Sequence, residues 1–239
     1  MIDLKPRQIK ILRAIIKEFI KSAEPIGSET VDKKYNIGVS PATIRNEMVS
    51  LSKQGYLYKT HSSGGRVPTP IAFKLYINEL MKEKELSVAD EVSAKEKIWN
   101  SRNHLEALLQ ESVQVLANRS KALGLAMTDT QMLFHSGYSN LLEMPEFYNI
   151  EVMKTVLSVI EEARVLDEIF EKGATEDKVH VVYGRELGDK NLQSIGVLYI
   201  TVQAHGHECR LGVLGSERFN YSYMIPLMKY FKGLIEDII

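Results

Sequence analysis

A mixed α+β fold in two parts follows from three features of the sequence. Three short segments with helical apolar spacing are followed at once by a Tyr-rich strand, a Gly-Gly turn and an Arg-Val-Pro return. The rest of the chain reads as strands and helices in segregated runs. The charge is also divided. Residues 1–75 hold 13 Lys and Arg against 6 Asp and Glu, and residues 76–239 hold 17 against 25, so a net charge of −1 conceals +7 and −8. A positive small domain suits a polyanion, which the acidic remainder would repel.

The first helix is expected from Pro6 to about Ser22. Pro6 takes the first helical position, and Ile9, Leu12, Ile16 and Phe19 recur at helical spacing. Glu24-Pro25-Ile26-Gly27 ends it. Ser28 is read as the cap of a short second helix reaching about Tyr35, and Asn36-Ile37-Gly38 as a tight connection. Ser40 caps a third helix that begins on Pro41 and stops at Gly55. Tyr56–Lys59 reads as a strand, residues 61–65 as a turn, and Arg66–Pro68 as an edge strand where proline is tolerated. Three helices and a hairpin make the winged form of the helix-turn-helix.

A fourth helix is expected over Pro70 to about Lys84, with Phe73, Ile77 and Leu80 inward. Glu83–Lys97 reads as a charged linker or exposed helix surface, and Ile98–Leu123 as a helix. Leu105, Leu108, Leu109, Val113 and Leu116 form its apolar stripe, which suits either a dimer interface or the cover of its own domain's sheet. Strands fit Leu125–Thr128, Met132–His135, Val179–Tyr183, Ile195–Ala204 and Cys209–Leu214. Helices fit Glu146–Lys172 and Tyr223–Ile239. The expected domains are 1–82, a helical linker and candidate dimerisation helix over 83–122, and 123–239.

Composition is that of a soluble globular chain, with 44% hydrophobic and 26% charged residues. No apolar run suits a membrane span, and the opening MIDLKPRQIK lacks a signal-peptide core. A single cysteine, Cys209, permits no disulfide within the chain. A cytoplasmic protein is expected.

The third helix carries the strongest functional signal. Ile44, Met48 and Leu51 share one face and are expected to pack inward. Thr43, Asn46 and Ser50 share another, flanked by Arg45 and preceded by Ser40. Short polar residues with an arginine suit base edges and phosphates in a major groove. In the hairpin, Lys59, His61, Ser62, Ser63 and Arg66 surround two glycines and suit phosphate contact. An ordinary solvated helix face and an ordinary hairpin are the plain alternatives. His205, His207 and Cys209 alternate as metal ligands on a strand can, but Gly206 among them favours a polar turn. No Ser/His/Asp set and no paired carboxylates stand at credible positions, so neither an enzyme nor a cofactor is expected.

The chain resembles the HrcA family of heat-shock repressors. The stretches that carry the resemblance are Pro6-Arg7-Gln8, Glu24-Pro25-Ile26-Gly27-Ser28, Thr43-Ile44-Arg45-Asn46-Glu47-Met48, Gln54-Gly55-Tyr56-Leu57 and, most specifically, His61-Ser62-Ser63-Gly64-Gly65-Arg66-Val67-Pro68-Thr69. Gly137–Phe147 and Gly212–Tyr221 extend it into the second half. The resemblance implies a winged helix followed by a GAF-like domain, here shortened. It implies double-stranded DNA with an inverted repeat as operator, a homodimer, control of chaperone genes, and a GroEL-type chaperonin as partner. The family's inserted dimerisation domain and early GAF strands have no counterpart, the gap falling between roughly Thr128 and Gln131. The family's Gly-Pro-Thr-Arg-Met stands here as Gly215-Ser216-Glu217-Arg218-Phe219. Two other functions fit parts of the sequence: a winged helix used as a protein-interaction module, and a ligand or metal sensor built on the second domain.

Overall fold

The structure is a computed structural model that describes residues 4–60, 64–174 and 179–238. The chain divides into two compact units, Met1–Lys82 and Glu83–Ile239.

The first unit opens with α1 (Pro6–Ser22), α2 (Ser28–Tyr35) and α3 (Pro41–Lys53). Pro6 begins α1 as expected, the Gln8 side chain accepts through Oε1 from the Lys5 amide at 3.1 Å, and Ala23 closes the helix in the left-handed region. The cap of α2 is Gly27 rather than Ser28, which is the first helical residue and is buried. On α3 the Ser40 hydroxyl accepts from the Thr43 amide, as an N-cap does. Ile44, Met48 and Leu51 are buried with Ile11, Ile15 and Val31. Each such side chain contributes roughly 1.5–3 kcal/mol by leaving water. The carboxylate of Glu18, buried on α1, receives Lys34 and the Tyr35 hydroxyl of α2. The Lys34 hydrogen bond holds that carboxyl below its usual range.

After α3 come β1 (Leu57–Lys59) and β2 (Arg66–Pro68), an antiparallel pair with Tyr58 opposite Val67. α4 (Pro70–Leu75) is capped by Thr69 and runs into a π-helical turn, Tyr76–Leu80. The expected helix to Lys84 stops there. Met81 turns extended after its amide reaches back to the Tyr76 carbonyl, and the wider turn buries both Tyr76 and Leu80.

The second unit begins with α5 (Val88–Ser101) and α6 (Leu105–Ser120). Of the two readings of the charged run, the exposed helix is the one observed, while the long helix expected after it is not. Ser87 caps α5, which continues past Ile98 to Ser101, and the chain breaks before His104 within the stretch Ile98–Leu123 where one helix was expected. β3 (Leu123–Thr128) and β4 (Leu133–Ser136) follow, then the single turn α7 (Tyr138–Leu141). Glu146–Lys172 is likewise not one helix. A 3-10 turn over Pro145–Tyr148 leads into α8 (Ile150–Glu161) and α9 (Ala163–Gly173), which meet at Glu162. The break lets Val156 and Ile160 of α8 and Leu166 and Phe170 of α9 enter the same core cluster.

β5 (His180–Tyr183), the single turn α10 (Gly184–Leu187), β6 (Ile195–Ala204), β7 (His207–Ser216) and α11 (Tyr221–Ile238) complete the unit. The sheet is antiparallel throughout, in the order β4-β3-β7-β6-β5. Leu123, Leu125 and Met127 of β3 face the cluster under α8 and α9. The alternate residue Gly124 faces α6, where a Cβ would lie 2.1 Å from the Val113 carbonyl oxygen. Leu108, Leu109, Val113 and Leu116 are fully buried, so the α6 stripe covers its own sheet.

One buried group opposes this packing. Glu217 follows β7, is 2% exposed, and its Oε2 has no hydrogen-bond partner among the described residues. Burial pushes its carboxyl up to about 7, with Glu146 adding to the rise and Arg185 and Arg218 opposing it. The folded unit therefore binds a proton that the unfolded chain, near 4.5, releases. The stabilisation is complete below 4.5 and is lost as pH rises to about 7. Glu217→Gln should raise the melting temperature above pH 7, leave it nearly unchanged at pH 4.5, and flatten the profile between them. Thermal unfolding across that range measures all three.

Candidate nucleic-acid interface

The exposed face of α3 is made by Ala42, Arg45, Asn46, Val49 and Lys53, which recur at intervals of three and four residues. Two features of α1 set this phase. Gln8 donates through Nε2 to the Ser50 hydroxyl at 3.1 Å, and Arg7 lies 3.7 Å from the Glu47 carboxylate. Ser50 also receives Gln54, at 3.1 Å, and is half-buried. Thr43 is half-buried, with its hydroxyl 3.0 Å from that of Ser40. Arg45 and Asn46 thus stand on the open face as the sequence suggested, whereas Ser50 turns toward α1 and Thr43 is half-buried beside Ser40, which serves as the cap.

The β1–β2 ribbon stands beside this face because its base is held from two sides. The Arg66 amide donates to the Ile26 carbonyl at 2.8 Å, and the Ile26 amide donates to the Arg66 carbonyl at 2.9 Å. Thr69 donates its hydroxyl to the Gly55 carbonyl at 2.7 Å. The Arg66 side chain donates through Nε to Ser52 at 3.0 Å, and burial lowers its pKa without removing its charge.

Between ribbon and helix lies a cleft of about 400 Å³ lined by Ser28, Arg45, Val49, Lys59, Gly65 and Arg66, among others, with no carboxylate in its lining among the described residues. Three cations converge there from three elements. His61, Ser62 and Ser63 lie outside the described residues. The sequence reading missed Val49, which is 38% exposed. Its signal was its place one turn after Arg45 on the same face.

The candidate metal residues do not converge. His205 and Gly206 form the two-residue turn between β6 and β7, both at positive φ. His207 pairs with Asp129 at 2.8 Å, and Cys209 is buried. Among the described residues no group of His, Cys, Asp and Glu is placed to hold a metal ion, and no helix is long and apolar enough to cross a membrane.

The residues thus build an α+β chain with a basic helix-and-ribbon cleft in one unit and a helix-covered antiparallel sheet in the other. The family model described as "HrcA protein C terminal domain" matches residues 71–225, and the chain belongs to the HrcA family. The heat-inducible transcription repressor HrcA of Clostridioides difficile is 40% identical over 126 residues, 53% of this chain and 37% of that protein. Its namesake from Pelotomaculum thermopropionicum is 25% identical over 337 positions, covering 99% of this chain and 97% of that one. That alignment is longer than the chain itself, so this relative carries internal sequence without a counterpart here. The Clostridioides match spans little more than a third of its relative's length. A solved structure described as a hypothetical protein shares the fold, with a TM-score of 0.74 at 17% identity over 99% of this chain and 98% of that one. The relatives are named as transcription repressors, not as enzymes.

Gly65 tests the cleft's geometry independently of any relative. A Cβ there would lie 2.6 Å from the Pro25 carbonyl carbon and 2.7 Å from Ile26 backbone atoms. Gly65→Ala should displace the ribbon and destabilise the first unit by about 1–3 kcal/mol, as overpacking does. Denaturant unfolding measures it, and an unchanged midpoint would contradict the close approach.

Proposed function

We propose that the chain is a sequence-specific, DNA-binding transcriptional repressor of heat-shock or chaperone genes. In this reading the first unit is a winged helix-turn-helix. It lays α3 in the major groove and the ribbon along neighbouring phosphates. The second unit is a shortened GAF-like domain. The chain acts in the cytoplasm as a homodimer on an inverted repeat, since two linked half-sites multiply the affinity of one small contact. Family membership brings a GroEL-type chaperonin into the same reading.

The observation that carries the proposal is the convergence of Arg45, Lys59 and Arg66 on one cleft beside the exposed face of α3. A guanidinium there can reach the O6 and N7 acceptors of guanine, and a carboxamide such as Asn46 can pair with adenine. Lys59 and Arg66 are placed for phosphates, which give affinity without sequence information.

Arg45→Ala and Lys59→Ala separate the two roles. Arg45→Ala should cost about 1–3 kcal/mol of operator affinity and relax the preference at one base pair per half-site. Lys59→Ala should weaken all duplexes alike and reduce the slope of log affinity against log salt by about one per bound half-site. Fluorescence anisotropy against a selected and a scrambled duplex reads both. Equal binding of the two duplexes by the wild-type chain would overturn the proposal.

A further inference from the structure

Three of the five residues on the open face of α3 are polar or charged and suit nucleic acid or solvent; Ala42 is small, and Val49 is the one large apolar side chain among them. An isopropyl group that is 38% exposed gains nothing from water, and its neighbours on that face are Arg45, Asn46 and Lys53. The inward face of α3 is complete without it, since Ile44, Met48 and Leu51 are 0–4% exposed. Val49 instead lines the same cleft as Arg45, one helical turn further along.

We propose that Val49 is a specificity-determining residue that packs on the 5-methyl group of a thymine in the major groove, next to the base pair read by Arg45. The inference rests on the DNA-binding reading above and adds to it a named base and a named atom. The chemistry is selective. The thymine methyl is the one apolar group that any base pair presents in the major groove, and cytosine places a bare C5–H there with an amino donor beside it. Polar side chains alone read the pattern of donors and acceptors. An apolar side chain among them reads the methyl, because it is attracted to that group and leaves a cytosine amino group desolvated and unpaired. The small Ala42 on the same face leaves room for the helix to approach the base edges.

The test deletes the methyl from the DNA and the isopropyl from the protein, singly and together. The wild-type full chain selects its preferred duplex from a randomised pool. Each thymine of that duplex is then replaced, one at a time, by deoxyuridine, which keeps every hydrogen bond and lacks only the methyl. At one thymine per half-site the wild-type chain should lose about fourfold in affinity, the effect of one buried methyl. Val49→Ala should bind the thymine duplex correspondingly less well and should be indifferent to deoxyuridine at that position alone. Arg45→Ala should keep the deoxyuridine effect, which separates the two contacts. If a duplex is selected but Val49→Ala responds to every deoxyuridine as the wild type does, or if no thymine matters, the Val49 assignment falls and the DNA-binding reading stands. If no duplex is enriched from the pool, both fall. Val49 is on the surface, so its truncation leaves the core intact, and an unchanged melting temperature confirms a folded variant.

Discussion

Arg66 and Ile26 exchange both of their backbone hydrogen bonds, at 2.8 and 2.9 Å. That exchange welds the ribbon to the connection between α1 and α2 rather than to the helix it serves. It is possible because residue 65 is glycine, whose missing Cβ lets the strand lie against Pro25 and Ile26. The connection itself is fixed by the buried Ile26 and by the left-handed turn at Ala23. The spacing between Arg45 on α3 and the cations of the ribbon therefore follows from how α1, α2 and α3 pack. The bonds from Arg66 to Ser52 and from Thr69 to Gly55 tie the ribbon back to the end of α3. Side chains and backbone held in this way lose less entropy on binding, so more of each contact appears as affinity.

The second unit is built on the opposite balance of charge and on closer packing. Gly124 lets α6 approach β3 until a methyl group would collide with the Val113 carbonyl. That close approach explains why the apolar stripe of α6 is consumed by its own sheet. Against this tight packing, Glu217 places a titratable group in the interior beside Glu146, whose own carboxylate is held by Arg218 at 2.6 Å and by Ser216 at 2.8 Å. The sequence Gly215-Ser216-Glu217-Arg218-Phe219 thus splits its charges: Arg218 satisfies one carboxylate, and Glu217 remains mostly desolvated. Such a site makes stability depend on pH near neutrality without any bearing on the cleft of the first unit.

Local punctuation was legible in the sequence. Pro6, Ser40-Pro41 and Gly55 marked helix ends, and Arg66–Pro68 and Ile195–Ala204 appeared as strands with their observed limits. The interruptions at His104 and Glu162 were not legible. Neither is marked by glycine or proline, and the apolar spacing from Val156 to Phe170 continues through Glu162 as one helix would require. At Glu162 what breaks the helix is the gain from bringing both halves into one core cluster with the sheet, a term that involves residues far along the chain. For α5 the sequence left a linker and an exposed helix open, for the converse reason. Only Ala94 and Ile98 are buried on it, too few to stand out from a charged run.

The candidate site shows the same limit at the scale of one helix. Arg45 and Asn46 were singled out because their types are suited to bases, and Thr43 and Ser50 were grouped with them because spacing alone put them on one side. The open face is rotated from that grouping by roughly a fifth of a turn. The rotation is decided by α1, where Gln8 takes Ser50 across 42 residues and Arg7 approaches Glu47. A helix alone has no preferred phase among its polar residues, because Thr, Asn and Ser are all content in water. It acquires one when a neighbouring helix offers partners to some of them and not to others. Those partners draw the Ser50 hydroxyl and the Glu47 carboxylate inward, and what remains outside is an arginine, an asparagine, a lysine and two apolar side chains. The acidic group is thereby removed from the open face, and Val49 is left exposed there.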